Sequence, residues 1–262
     1  NVSRSFGEPN PVFGFSITSG ALLPGHSLVT TYLSTAGLGS SVTGGPYSVN
    51  FSNPRIVDAN GTDVSSRYDL TTIAGVINIS KAAQNVSFSP VGSLAFGQSV
   101  DLVAGALAGP VNVEVVSGSA SVVDGKLVAT SGTGSVVVRA STPGNENFDP
   151  ASAEQTISLT KAQQAIQLTP IPDSLVYNPG FFLFPNSLLD AAALSTGPIS
   201  VELVSGPGFI KRIGYDLAGA PELFGKYVVF PQSGTGQLVI RVTSPGDANY
   251  LPASIEKTIP LT

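Results

Sequence analysis

The chain contains no cysteine, methionine or tryptophan, and only 11% of its 262 residues are charged. Without cysteine there is neither a disulfide nor a thiolate metal site, so any folded module must be held by its own apolar core. For the same reason, the redox compartment cannot be read from the sequence. Lack of tryptophan removes one favoured platform for stacking sugars or cations, although Tyr and Phe can substitute. Lys and Arg are scattered singly and the net charge is −5, which argues against a basic face that tracks phosphates, so no nucleic-acid partner is expected. Mean hydropathy is +0.28, yet the densest apolar stretch, Phe181 to Leu189, is broken by Pro185, and no insertion of this segment into a membrane is expected. Asn1 opens within what reads as a strand, without a charged-then-apolar leader. The sequence therefore reads as a processed product or a piece of a longer chain.

Glycine (29) and proline (20) are distributed so evenly that long helices have nowhere to form. All-β architecture follows as the first expectation. Internal repetition is the strongest signal. Residues 131–160 and 233–262 match at an offset of 102, with 17 of 30 positions identical. Upstream, GPVNVEVVSG from Gly109 matches GPISVELVSG from Gly197 at an offset of 88, and KAAQNVSFSP from Lys81 matches KAQQAIQLTP from Lys161 at an offset of 80. The growing offsets place insertions of 8 and then 14 residues in the last repeat, within 172–195 and 207–232. Three modules result, at about 1–81, 82–161 and 162–262.

The Gly- and Pro-free run 151–169 has the length of a helix, but the repeat divides it. Gln155 to Thr160 alternates polar and apolar residues as a closing strand, and the pattern that begins at Lys81 restarts at Lys161. Only Lys-Ala-(Ala/Gln)-Gln separates the last strand of one module from the first of the next, too short for a loose tether, so a fairly stiff rod is expected. Within 82–161, strands are predicted at 84–89, 99–104, 110–116, 119–123, 126–130, 134–141 and 153–160, with turn signals at the spacing of an immunoglobulin-like Greek-key sandwich. The repeated Pro-Gly-(Asn/Asp)-x-Asn-(Phe/Tyr)-x-Pro-Ala at 143–151 and 245–253 reads as a structured turn. In it, Asn147 and Asn249 are expected to bond local backbone while Phe148 and Tyr250 plug the end of the sandwich.

Arg4-Ser5-Phe6-Gly7-Glu8-Pro9-Asn10-Pro11-Val12-Phe13, Gly45-Pro46-Tyr47-Ser48-Val49, Arg67-Tyr68-Asp69-Leu70 and the segment from Gly75 to Ala82 resemble an MBG-type repeat of bacterial secreted proteins, with Phe6 in place of the commoner Tyr. Modules two and three are similar to the Ig-like repeats that accompany it in very long bacterial surface proteins. The resemblance implies tandem β-sandwich modules of a stalk, adhesin spacer, matrix or filament component at the cell surface, with one short helix over His26 to Leu33. It brings no catalytic residues.

Chemistry read from the residues themselves is sparse. Gly25-His26-Ser27-Leu28-Val29 resembles the start of a nucleophile elbow, but Val29 stands where glycine is needed, and no other histidine exists to act as general base. The Gly-Thr-Gly segments at 132–134 and 234–236 lack the following Lys-Ser/Thr of a phosphate cradle and read as turns. Asn145-Glu146-Asn147-Phe148-Asp149 is the best calcium candidate, yet its counterpart at 247–251 loses two acidic ligands. No enzyme activity, cofactor or metal is expected. Lys81 and Lys161 raise the idea of a covalent Lys-Asn brace, which would show as loss of one ammonia per brace in the intact mass. Asn-x-Ser/Thr sequons begin at Asn1, Asn50, Asn60, Asn78 and Asn85.

The candidate binding or assembly patch is aromatic and lies in the insertions of module three: Tyr177, Phe181, Phe182, Phe184, Tyr215, Leu223, Phe224 and Tyr227. One reading gives these residues to an enlarged core, the other to an exposed surface for subunit contact or ligand. Expected partners are other copies of the chain or neighbouring repeats of a longer one, joined head to tail. The alternatives are an adhesin fragment binding a glycan or protein ligand through module three, or an accessory module of a secreted carbohydrate-active enzyme.

Overall fold

A computed structural model describes residues 1–169, 173–177, 188–214 and 225–262. They form two compact units, the first of residues 1–89, 103–114 and 139–154, the second of 90–102, 115–138 and 155–262. Residues 1–81 contribute β1 (Val2–Ser5), β2 (Ser27–Ser34), β3 (Tyr47–Val57) and β4 (Gly75–Ser80). Residues 82–161 contribute β5 (Val86–Phe88), β6 (Leu94–Ala95), β7 (Ser99–Asp101), β8 (Ala104–Ala106), β9 (Asn112–Gly118), β10 (Ala120–Val123), β11 (Lys126–Ala129), β12 (Ser135–Thr142) and β13 (Ala151–Thr160). The last repeat contributes β14 (Gln167–Thr169), β15 (Leu188–Ala192), β16 (Ser200–Ser205), β17 (Gly208–Arg212), β18 (Tyr227–Pro231), β19 (Gln237–Ser244) and β20 (Ala253–Pro260).

The fold is all-β and immunoglobulin-like. In the middle repeat the sheets run β6-β13-β12-β9, β10-β11-β7 and β5-β8. The opening strand is divided between sheets, its first piece pairing with β8 and its second, β6, lying parallel to the closing strand β13 with Leu94 opposite Leu159. The predicted strand at 99–104 is two strands, β7 and β8, and the two-residue β6 has no counterpart in the sequence reading, because a pair of residues carries no periodicity. Alternation does its expected work in β12 and β19, whose inward residues Val136, Val138, Leu238, Ile240 and Val242 are fully buried. In the last repeat these join Ile259, Leu261, Leu189 and Val229 in one apolar cluster.

The first repeat carries a single sheet ordered β1-β4-β3-β2. The short helix implied for His26 to Leu33 is not formed. Ser27 to Leu33 belong to β2, whose side chains alternate in burial and which pairs with β3 on both sides of a register shift between Val29 and Thr31. The run Val29-Thr30-Thr31 explains the difference, since branching at Cβ favours extended backbone, and helical spacing of Leu28, Val29 and Tyr32 does not outweigh it. Among the described residues the one helical element is a single 3-10 turn, Ser65–Arg67. No helix there is long and apolar enough to cross a membrane.

Candidate functional site

The most elaborate polar chemistry of the chain lies at the two junctions between successive repeats, one inside each compact unit, and the two are built alike. Each begins with the linker. Ala82 donates its N–H to Asn147 O (2.9 Å) and accepts from Asp149 N (2.9 Å), while Ala162 donates to Asn249 O (2.8 Å) and accepts from Leu251 N (2.9 Å). The linker glutamines complete the clamp. Gln84 Nε2 donates to Asp149 O at 2.8 Å and Gln84 Oε1 accepts from Ala108 N at 2.9 Å. Gln164 does the same with Leu251 O (2.7 Å) and Ser195 N (2.9 Å). Residues 81–85 and 161–166, which lie between successive strands, are thus each bonded through an alanine and a glutamine to the turn of the repeat that they open.

The clamped segment is the repeated Pro-Gly turn. Gly144 and Gly246 adopt φ of +70° and +71°, and a Cβ at Gly246 would lie 2.8 Å from Leu251 C. Glycine is required there for both reasons. Asn145 Oδ1 accepts from Asn147 N (2.8 Å) and Phe148 N (3.0 Å), and Asp247 Oδ1 accepts from Asn249 N (2.8 Å) and Tyr250 N (3.0 Å). These side chains, not Asn147 and Asn249, make the local backbone bonds, which corrects the reading of the turn from sequence. Once the turn is closed from within, the carboxamide two residues later is left facing outward.

Asn147 and Asn249 reach the preceding repeat. Asn147 Oδ1 accepts from Val42 N at 3.0 Å, and Asn249 Oδ1 accepts from Gly132 N at 2.9 Å. Phe148 and Tyr250 follow them. Phe148 meets Phe6 edge-on with centroids 5.4 Å apart at 73°, and Tyr250 meets Phe96 at 5.4 Å and 78°. The aromatic residues cap the neighbour, not the end of their own sandwich. At the first junction Thr43 Oγ1 adds a bond to Glu146 Oε2 at 3.1 Å.

The receiving face is also duplicated. Phe6 N and Phe96 N donate to Ser80 O and Thr160 O, each at 2.9 Å, at the end of the parallel pairings of β1 with β4 and β6 with β13. Ser41-Val42-Thr43-Gly44 and Ser131-Gly132-Thr133-Gly134 supply the donor N–H. Their serine hydroxyls hold the turns by accepting from Gly44 N (3.1 Å) and Thr133 N (3.2 Å). The Gly-Thr-Gly segment at 132–134 is a turn, as read, with a task the sequence did not disclose. A signal existed: Phe6 to Phe96 and Ser41 to Ser131 share one spacing of 90 residues, although each match spans only a few residues.

Asp247 differs from its counterpart Asn145 in carrying a charge. Its Oδ2 accepts from Thr196 N (2.9 Å) and Thr196 Oγ1 (3.3 Å) in addition to the two turn amides. The Thr196 N–H first, then those of Asn249 and Tyr250, hold its carboxyl below the ordinary aspartate value. A depressed folded-state pKa adds stability that is present above the unfolded value and lost as pH falls through the folded one. We therefore expect the protection of the Asn249 and Tyr250 amides, relative to their intrinsic exchange rate, to fall as pH drops below about 4, with no matching fall at Asn147 and Phe148. Asp247→Asn is expected to abolish the difference between the two turns.

The remaining candidates separate. Phe181, Phe182, Phe184, Tyr215, Leu223 and Phe224 lie outside the described residues. Tyr227 is half-buried, packs against the core of the last repeat and donates its hydroxyl to Ile199 O at 2.8 Å, so it supports the core. Tyr177 is 38% exposed and donates its N–H to Thr262 O at 2.9 Å. An aromatic pair not singled out in the sequence joins β17 to β18, where exposed Phe209 and half-buried Phe230 stack 4.7 Å apart at 14°. His26 is held in its loop by Tyr68, whose hydroxyl lies 2.7 Å from Nδ1 and accepts from Leu23 N at 3.1 Å. In the calcium candidate, Asn145 Oδ1 and Asn147 Oδ1 both accept N–H groups, and no group of three or more His, Asp or Glu side chains converges among the described residues. An open cleft lined by Pro198, Ser200, Thr243, Pro245, Pro252 and Ser254 offers hydroxyls without a carboxylate or histidine.

No family model and no curated protein matches the chain. Solved structures that resemble it include Drosophila N-cadherin EC1-4, at 11% identity and a TM-score of 0.27, covering 100% of this chain and 73% of that one. An endo-fucoidan hydrolase of glycoside hydrolase family 107 matches at 11% identity and a TM-score of 0.27, over 93% of this chain and 38% of the hydrolase. The N-terminal eight Ig domains of Down Syndrome Cell Adhesion Molecule match at 12% identity and a TM-score of 0.24, over 86% of this chain and 27% of that one. Likenesses this loose carry no argument about what the chain does.

Proposed function

We propose that the chain is a non-catalytic structural array of a cell-surface or secreted protein, in which each Ig-like repeat grips its predecessor and so carries a stiff stalk. One observation carries this reading: the same clamp of linker alanine, linker glutamine, turn asparagine and aromatic edge occurs at both junctions. A flexible tether needs none of these bonds, and a chain whose work is done elsewhere has no reason to build them twice. The resemblance of the first repeat to the MBG type and of the others to bacterial surface Ig-like repeats supports an extracellular setting. A second reading, ligand capture by the last repeat, is favoured by the exposed ring of Phe209, stacked on the half-buried Phe230.

Because the chain has no cysteine, a pair can be introduced without background. Spin labels at Ser121→Cys and Lys257→Cys, both exposed strand positions, report the second junction. A single narrow distance distribution is expected in the parent and a broad one after Asn249→Ala with Tyr250→Ser. Equally broad distributions in both would reject the stiff-array reading.

A further inference from the structure

We propose that the outer end of the last repeat is a docking surface for the Asn-aromatic turn of a further repeat of this type. Residues 173–177 and 233–262 reproduce the receiving face seen twice upstream. Leu175 lies opposite Leu261 in a parallel bridge as Leu94 lies opposite Leu159, and Tyr177 N donates to Thr262 O as Phe96 N donates to Thr160 O. Tyr177 thus holds the place of Phe6 and Phe96. Ser233-Gly234-Thr235-Gly236 repeats the donor turn, with Ser233 Oγ accepting from Thr235 N at 3.1 Å.

What differs is occupancy. Phe6 and Phe96 are half-buried beside the rings of the following repeat, whereas Tyr177 is exposed. Gly132 is buried with its N–H bonded to Asn249, whereas Gly234 is half-buried and its N–H meets no acceptor among the described residues. The glycines make the same point sterically. A Cβ at Gly132 would lie 2.7 Å from Ala248 O of the next repeat, while one at Gly234 meets nothing closer than Tyr177 Cβ at 3.7 Å. Neither glycine needs a positive φ, so within this chain nothing demands glycine at 234, whereas a turn backbone approaching as closely as the one that meets Gly132 would.

The occupant must bring a free turn. Both turns of this chain, 143–151 and 245–253, are engaged inside it, and 58–74, which connects β3 to β4, contains no Pro-Gly-(Asn/Asp)-x-Asn sequence. Among the described residues, a second copy of the chain therefore has no free turn of this kind to offer this face. A further repeat opening with Lys-Ala-x-Gln and carrying its own Asn-(Phe/Tyr) turn does. The inference rests on the junction reading above, and its test separates the two.

Two extended chains are made, one with residues 161–262 repeated after Thr262 and one with residues 81–160 repeated there, so that misfolding of either extension leaves the other decisive. Protection of the added core amides reports folding. Amide exchange at Gly234, fast in the 262-residue chain, is expected to slow by at least about tenfold. The slowing is lost when the asparagine of the added turn is changed to alanine, and lost again with Gly234→Ala, which leaves the 262-residue chain unaltered. Unchanged exchange at Gly234 beside a folded extension overturns the inference. If exchange at Gly132 is instead indifferent to Asn249→Ala, the junction reading itself fails.

Discussion

Gly132→Ala is expected to release the last repeat from the middle one while both remain folded. The new methyl carbon would lie 2.7 Å from Ala248 O, 2.8 Å from Asn249 Cα and 3.0 Å from Asn249 O, all backbone atoms that have no rotamer to yield. The substitution is unusually clean because Gly132 does not adopt positive φ, so alanine suits its backbone and slightly disfavours the unfolded chain. What is lost is the bond from Gly132 N to Asn249 and the contact of Phe96 with Tyr250, together worth about 2–4 kcal/mol. Exchange of the amide at 132 is expected to rise by roughly 30- to 1000-fold, since each 1.4 kcal/mol is a factor of ten. The amide of Ala162, bonded within the last repeat, should keep its rate. Val42 shows why the first junction tolerates a side chain at this place, as its isopropyl group packs against the core of the first repeat. Retained protection at 132 in the variant would mean that the bond to Asn249 is not what protects this amide.

Gly206→Ala is expected to do the opposite, unfolding a repeat without touching a junction. Gly206 has φ of +104° between β16 and β17, and its added Cβ would lie 2.9 Å from Leu238 Cα and against Gln237 O. Gly118 stands in the same place in the middle repeat, with φ of +99° and Val136 Cα at 2.6 Å. Such backbone is open to glycine alone, and the obstruction falls on β19, which carries fully buried Leu238, Ile240 and Val242. A loss of at least about 3 kcal/mol is expected in urea unfolding of the last repeat. A change within about 0.5 kcal/mol of the parent, the usual size for a surface substitution, would contradict the assigned backbone.

The long-range matches in the sequence located individual strands best. The 17 identities between 131–160 and 233–262 placed β12 with β13 and β19 with β20, and divided the misleading run 151–169 correctly into a closing strand and a new beginning. Two kinds of information were illegible. Helical spacing at Leu28, Val29 and Tyr32 competed with the extended preference of a Val-Thr-Thr run, and tertiary pairing with β3 decided it. The partner of a turn side chain was harder still. Asn145 and Asn147 are both residues that bond backbone readily, and only the closed turn shows that the first serves its own loop and the second a neighbour 105 positions away. Phe6 and Phe96 were hidden for a related reason: a Phe-Gly pair is a faint mark in a chain with 29 glycines, and Phe13-Gly14 and Phe224-Gly225 show the same pair at other places.

Scalar couplings transmitted through hydrogen bonds report directly whether the turn asparagines bond the preceding repeat. In a labelled sample of the intact chain, correlations are expected from Val42 N to Asn147 Cγ and from Gly132 N to Asn249 Cγ, across the two bonds of 3.0 and 2.9 Å that join successive repeats. Carboxamides coupled only to amides of their own turns, with the amides of Val42 and Gly132 exchanging freely with water, would contradict these bonds.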